Sequence, residues 1–155
     1  LPMKKFVAVL LAAMLCLSFA ACGGEKATDK TVDAAAMFKT LLTDVTYTDN
    51  ATELDGSMAG VLLGGELPEG TEAHLAANDS AYLRCAVFAC KDKDAADAVK
   101  KLVQTYIDDS IDAKYNVDEV ALLQNAKIHS MGNYVAVAVT SDTDNVNKVI
   151  DQYFA

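Results

Sequence analysis

Two periodicities of apolar residues divide the chain into predicted helices and strands. Between Thr31 and Val45 apolar residues recur every three or four positions, and the same spacing is clearest between Asp92 and Ile111. Thr, Asp and Asn in front of such stretches predict helix starts, because their side chains accept hydrogen bonds from unpaired backbone N–H groups. The predicted helices are 31–45, a short one within 54–63, one from Asp92 or Asp94 to about 111, 117–124, and one from Asp142 or Asp144 to the C-terminus.

Three further segments are typical of β-strands, namely 82–89, 126–131 and 134–140. Gly132-Asn133 separates the last two and predicts a two-residue hairpin turn. Segment 46–49 is β-prone, whereas 64–78 contains turn signals and is left undetermined. We therefore expect an α+β domain with an antiparallel sheet of about four strands and helices packed mainly on one face. That face is formed by Val135, Val137 and Val139.

The first residues of the chain have the order of an export signal. Lys4 and Lys5 precede an apolar stretch over 6–17, which is shorter than the roughly 20 residues that a spanning helix needs. Phe19-Ala20-Ala21-Cys22 then resembles a bacterial lipobox, in which a small residue precedes a lipid-modified Cys. Leu is usual where Phe19 stands, so cleavage after Ala20 by a general signal peptidase, giving a secreted protein, is the alternative.

This interpretation sets the domain boundaries. Residues 1–21 are the predicted signal peptide, with Leu1-Pro2 upstream of the expected start at Met3. Residues 22–30 are expected to be a lipidated tether, and 31–155 a single α+β domain. The lipobox resemblance implies a diacylglyceryl group on Cys22, and two acyl chains are what stable anchoring requires. The expected location is the extracytoplasmic face of the cell membrane.

The net charge limits the partners. The chain carries a formal charge of −9, and removal of a signal that contains two lysines and no acid makes it more negative. Such a charge argues against nucleic acid and against direct adhesion to anionic lipid. The expected partners are membrane lipid, through Cys22, and an unknown envelope protein or small ligand.

Cys85 and Cys90 are predicted to be free thiols. They lie five residues apart in one predicted strand, a span of about 16 Å. A disulfide needs Cα atoms within roughly 7 Å of each other. Their odd separation also directs the two side chains to opposite faces of the sheet.

Candidate chemistry is sparse. His74 and His129 are the only histidines, no paired Cys motif occurs, and the segment from Asp142 lacks the Gly and the closing Glu of a calcium loop. No Gly-x-Ser-x-Gly motif is present. We therefore predict no metal site, no cofactor and no catalytic residue.

Arg84 is the only Arg of the chain and lies in an otherwise apolar strand. One interpretation is an Arg on a partly exposed sheet face that stacks on Tyr82 or pairs with a carboxylate. The other is an anchor for an anionic ligand, with Tyr82 and Tyr134 as further ligand-binding residues. Tyr134, Ala136 and Ala138 form the sheet face opposite the valines, which could then be a shallow recognition surface.

Several short motifs occur in the order found in a known family. They are Cys22, Val32-Asp-Ala-Ala-Ala-Met-Phe38, Ala86-Val-Phe88 followed by Lys91-Asp-Lys-Asp-Ala-Ala96, Tyr115-Asn116, Asp118-Glu119 and Gly132-Asn-Tyr-Val135. Through them residues 31–154 resemble an uncharacterised bacterial lipoprotein family, domain of unknown function 4358. An acidic pair expected before the strand is replaced by Asp79-Ser-Ala-Tyr-Leu-Arg84. The resemblance implies a location and a fold, and it carries no known activity.

Together these features predict a membrane-anchored exported lipoprotein that acts as a non-enzymatic binding or envelope-interaction module. The alternative is a small extracytoplasmic hydrolase or transferase without a recognisable motif, which would need convergent polar residues in a deep pocket.

Lipidation at Cys22 is directly testable. In a lipoprotein-competent bacterium the full chain should incorporate labelled fatty acid and partition into detergent, and Cys22→Ser should do neither. Equal labelling of both proteins would contradict the assignment, and a secreted product that begins at Ala21 would establish the alternative cleavage.

Overall fold

A five-stranded antiparallel sheet is the centre of the computed structural model, which describes residues 30–113 and 116–155. The predicted signal peptide, Cys22, most of the tether, and Tyr115 lie outside the described residues. The strands are β1 Thr52–Leu54, β2 Glu72–Ala77, β3 Leu83–Ala89, β4 Ile128–Met131 and β5 Tyr134–Ala138. Their order across the sheet is β1-β2-β3-β5-β4, and each neighbouring pair is antiparallel.

Five α-helices complete the described part of the chain, which confirms the α+β class. They are α1 Ala34–Asp44, α2 Ala59–Leu63, α3 Lys93–Ala113, α4 Val117–Asn125 and α5 Thr143–Phe154, with a 3₁₀ turn at Gly56–Met58 before α2. Thr31–Ala155 forms one compact unit that contains all of these elements. No helix in the described ranges has the length and apolar character needed to cross a bilayer.

Helices cover both faces of the sheet, so the expectation of packing mainly on one face is wrong. The valine face of β5 meets α2, α3 and α4, as predicted, in a core that includes Phe88, Val99 and Val103. The opposite face meets α1 and α5 in a second core that includes Phe38 and Leu41. Apart from Arg84, β3 and β5 are apolar on both faces, as expected for strands with both faces buried.

The sheet also has one strand more than the expected four. Segment 46–49 forms no strand, whereas β1 follows it and β2 lies inside the undetermined region 64–78. The β2 sequence Glu-Ala-His-Leu-Ala-Ala contains no β-branched or aromatic residue, so its composition predicts a strand poorly. It forms a strand because β1 and β3 pair with it on either side.

The helix starts follow local capping chemistry. The side chain of Asp33, not of Thr31, caps α1 through Ala36 N at 3.0 Å, and Asp92 accepts from Ala95 N at 2.8 Å at the start of α3. Asn116 caps α4 as predicted. Asp142 stands before α5 but makes no side-chain cap bond, because its carboxylate accepts instead from Thr46 N at 2.8 Å.

Cys85 and Cys90 are free and buried, as their spacing predicts. Cys85 belongs to the core under α1 and α5, and Cys90, just after β3, belongs to the core under α3. Burial raises the pKa of the Cys85 thiol to about 12. Both thiols therefore behave as small apolar residues of the interior.

Candidate functional site

Arg84 is the centre of a buried ion-pair network. Its Nε donates to Asp49 Oδ1 at 2.7 Å, and its Nη2 donates to Asp49 Oδ2 at 3.0 Å and to Glu119 Oε2 at 2.8 Å. Its Nη1 donates to Glu119 Oε1 at 3.0 Å and to the Leu83 carbonyl at 3.1 Å. All five N–H groups of the guanidinium are thus used within the chain.

The position of Arg84 follows from a bulge in the sheet. Ala76 pairs with Cys85 and Ala77 with Leu83, so Arg84 is the extra residue on β3. The residue is 1% exposed, so the expectation of a partly exposed strand residue is wrong. Of the contacts considered for it, pairing with a carboxylate is confirmed. An anionic ligand would have to displace Asp49 or Glu119 to reach the guanidinium.

The two carboxylates come from opposite sides of β3 in sequence, each 35 residues away. Asp49 lies in the connection between α1 and β1, and its side chain is 41% exposed. Glu119 lies in the first turn of α4 and is buried. Arg84 therefore ties the α1–β1 connection and the start of α4 to the middle of the sheet.

Asn78 extends this network into the β2–β3 loop. Its Nδ2 donates to Asp49 Oδ2 at 2.7 Å, and its Oδ1 accepts from Ser80 N and Tyr82 N at 3.1 and 2.8 Å. In this loop Ala81 has φ 62°, a left-handed conformation that residues with a Cβ rarely adopt. The bonds of Asn78 hold that strained backbone in place.

The electrostatics of the network favour the charged forms. The hydrogen bond from Arg84 lowers the pKa of Asp49 to about 2, with a further contribution from Asn78, although burial opposes it. Burial also opposes the charge of Arg84, but the hydrogen bonds to Asp49 and Glu119 outweigh it and raise the pKa of the guanidinium. Asp49 and Arg84 are therefore ionised at neutral pH.

A cavity of about 340 Å³ opens beside Glu119, and we call it the α3–α4 cavity. Four described segments line it: the end of α2, the β2–β3 loop, the C-terminal half of α3, and α4 with its capping residue. The described lining residues are Leu62, Leu63, Gly64, Ala81, Tyr82, Tyr106, Asp109, Ser110, Ala113, Asn116, Glu119, Val120 and Leu123. Most of the wall is apolar, and its two carboxylates belong to Asp109 and Glu119.

Tyr106 connects the cavity wall to the sheet. Its hydroxyl accepts a hydrogen bond from Leu83 N at 3.1 Å, and burial raises the pKa of the phenol. Because its oxygen is already held by the backbone of β3, Tyr106 is a fixed part of the wall. Neither Tyr106 nor Asp109 stands out in the sequence, because both lie in a long amphipathic helix with many similar residues.

The predicted ligand-binding residues do not share one site. Tyr82 lines the α3–α4 cavity and Arg84 lies behind Glu119. Tyr134 pairs with Ala89 at the other end of β3 and is buried in the core under α1 and α5. The proposed recognition surface of Tyr134, Ala136 and Ala138 is therefore covered by helices, and this part of the prediction is wrong.

Both histidines lie in strands. His74 is in β2, where its ring stacks on Phe38 with centroids 5.9 Å apart, and His129 is in β4. Burial, with a further contribution from Lys127, lowers the pKa of His129. Within residues 30–113 and 116–155, no three His, Cys, Asp or Glu side chains are grouped so that they could hold a metal ion.

Residues 73–140 match the model of a protein family described as Domain of unknown function (DUF4358). The matched segment is less than half of the chain and runs from β2 past β5, so it includes Arg84, Glu119 and most of the cavity wall but not Asp49. No curated protein and no solved structure matches the chain. The match supports the resemblance to a domain of unknown function and supplies no activity.

Loss of Arg84 should be strongly destabilising. Arg84→Met leaves the carboxylate of Glu119 buried without its counter-charge, and breaking such a pair costs about 3–5 kcal/mol. The additional substitution Glu119→Gln should recover part of this loss, and Asp49→Asn alone should cost at most about 1 kcal/mol, because Asp49 is partly exposed. Urea unfolding measures all three. A loss below about 1 kcal/mol for Arg84→Met would contradict the structural role of the network.

The Asp49–Arg84 pair should make stability depend on pH. The pKa of Asp49 is about 2 in the folded protein, below its ordinary value, so the folded state binds fewer protons. The stabilisation is therefore complete above about pH 5 and is lost as the pH falls towards 2. Accordingly, the difference in unfolding free energy between wild type and Asp49→Asn should shrink over this interval. In the Arg84→Met/Glu119→Gln background the same substitution should show only the smaller change that the Asn78 hydrogen bond leaves, and an undiminished pH dependence there would contradict the assignment.

Proposed function

We propose that the protein is an exported, lipid-anchored binding module that holds a small molecule in the α3–α4 cavity. The observation that carries the proposal is the cavity itself, whose volume of about 340 Å³ lies within the range of ligand sites. Its composition agrees with such a role, because a mainly apolar wall supplies contact area and a few polar groups orient the ligand.

The rigidity of the surroundings supports binding at this place. The Arg84 network holds Glu119, the backbone of β3 holds the hydroxyl of Tyr106, and Asn78 holds the loop that carries Ala81 and Tyr82. A wall that is already ordered loses little conformational entropy when a ligand enters.

The described lining residues favour binding over catalysis. Ser110 supplies a hydroxyl to the wall, but no His or Lys is among the described lining residues. The carboxylate of Glu119 is held by Arg84. A nucleophile needs a base within hydrogen-bond reach, whereas the hydroxyl of Ser110 interacts with the phenol of Tyr106, which is not a base at neutral pH. A small extracytoplasmic hydrolase or transferase stays the alternative function.

Membrane attachment is the second half of the proposal, and it rests on the sequence. The signal-like segment before Cys22 and the short tether 22–30 would place the domain that begins at Thr31 close to the outer surface of the cell membrane. A binding domain tethered there can capture a ligand outside the cell and keep it near the membrane.

Contact with an envelope protein is a second candidate function. Met58 is 43% exposed and Val61 75% exposed, and their spacing of three residues makes them neighbours on one side of a helical turn. Exposed apolar patches are typical of protein interaction sites. This pair of residues is the feature of the described surface that favours such a partner.

Filling the cavity should abolish small-molecule binding. A thermal-shift screen of metabolites and amphiphiles on the full chain should identify compounds that raise the melting temperature of the wild type. Val120→Trp places a large side chain in the wall and should eliminate those shifts. Val117→Trp is the matched control, because Val117 lies in the same helix but is 83% exposed and outside the wall. Shifts that survive Val120→Trp, or the absence of any shift in the wild type, would contradict the proposal.

A further inference from the structure

We infer that the α3–α4 cavity selects an amphipathic cation, that is, a small molecule with one ammonium-type group on an apolar body. The inference rests on the proposed function, because it specifies the chemical class of ligand for the same cavity. It is carried by the charges and the hydrogen-bond acceptors of the wall.

The charges around the cavity are negative. Asp109 and Glu119 line it, and no Lys, Arg or His is among the described lining residues. The positive charge of Arg84 lies behind Glu119 and is outnumbered by its two carboxylate partners, so that network has a net charge of −1. With Asp109 the described residues at the cavity carry two net negative charges, which attract a cation and repel an anion.

Both carboxylates have capacity to accept hydrogen bonds from a ligand. Each oxygen of Glu119 accepts one bond from Arg84, whereas an ionised carboxylate has about four acceptor sites. Asp109 has no hydrogen bond or ion pair in the described part of the chain. An ammonium group, which has donors only, therefore matches what the wall offers.

The start of α4 does not provide an anion site, although a helix N-terminus often does. Asn116 Oδ1 accepts from Asp118 N at 2.9 Å and from Glu119 N at 3.3 Å, and the Asn116 carbonyl accepts from Val120 N. The first turn already contains two carboxylates, those of Asp118 and Glu119. The N-terminus of α4, where an anion would bind, is thus already occupied by groups of the chain itself.

An inorganic cation fits less well than an organic one. Metal ions such as Mg²⁺ and Ca²⁺ take six or more oxygen ligands, counting water, and the wall offers two carboxylates. A hydrated ion would also leave the apolar side of the cavity, formed by Leu62, Leu63, Val120 and Leu123, in contact with water. An alkyl or aromatic body would cover that side and remove apolar surface from water.

Three probes with the same apolar body test the charge preference: octylammonium and octanoate below their critical micelle concentrations, and octanol below its solubility limit. Binding to the full chain is measured by calorimetry at pH 7. We expect the affinity to fall from octylammonium to octanol to octanoate, and all measurable binding to disappear in Val120→Trp.

Asp109→Asn isolates the contribution of charge. This substitution should lower the affinity for octylammonium about two- to fivefold, as expected for an ion pair in contact with solvent, and leave the affinity for octanol unchanged. Asp108→Asn is the matched control: Asp108 is the adjacent exposed acid, lies outside the wall, and accepts a bond from Gln104 Nε2 at 2.9 Å that an Asn oxygen can also accept. Because Lys114 lies outside the described residues, binding of the three probes to Lys114→Gln is measured as well. The order of their affinities should be the same as for the wild type.

The outcomes separate this inference from the proposed function. If octanol or octanoate binds as tightly as octylammonium and Val120→Trp abolishes that binding, the charge preference is overturned and the binding module stands. Equal weakening by Asp109→Asn and Asp108→Asn also overturns it, because the effect then comes from net charge at long range. If none of the probes binds, the inference is overturned, and the broader screen decides the proposed function.

Discussion

The structure depends on one buried cation that must be neutralised. Arg84 lies in the middle of the sheet, and an Arg removed from water is tolerated only when carboxylates and carbonyls accept all of its N–H groups. Asp49 and Glu119 meet this need from two different connections, and the Leu83 carbonyl takes the remaining donor. The requirement brings together the α1–β1 connection, the bulge of β3 and the start of α4, which are far apart in sequence.

This constraint also explains where the cavity is. The start of α4 is held over the first residues of β3 by the bond between Glu119 and Arg84, and α3 is held there by the bond between Tyr106 and the backbone of β3. The end of α2 and the loop around Ala81 also line the space between these two helices. The cavity is therefore built at the end of a strand and not on a sheet face.

A covered sheet excludes the recognition surface that the sequence suggested. Tyr134 is only 8% exposed, because α1 and α5 cover the face that it shares with Ala136 and Ala138. The sequence contained a signal for this outcome. A strand with one solvated face alternates polar and apolar residues, whereas 134–139 has no charged residue on either face, which is typical of a strand covered on both sides.

Local chemistry was sufficient for much of the fold. The capping side chain of Asn116, the turn at Gly132-Asn133, the apolar stripe of α3 and the separation of Cys85 and Cys90 act within a few residues, so the sequence alone predicted α4, the β4–β5 hairpin, α3 and two free thiols. It also offered a carboxylate as one of the alternative partners of Arg84. The sequence could not identify Asp49 and Glu119 among 22 acids, because each lies 35 residues from Arg84 and reaches it only through the packing of distant segments. Nor could it identify β2, because that strand is poor in residues that favour β-structure and forms only between its two neighbours. The tertiary structure alone decided that both sheet faces are buried and that a cavity lies beside Glu119, because both features exist only where segments distant in sequence meet.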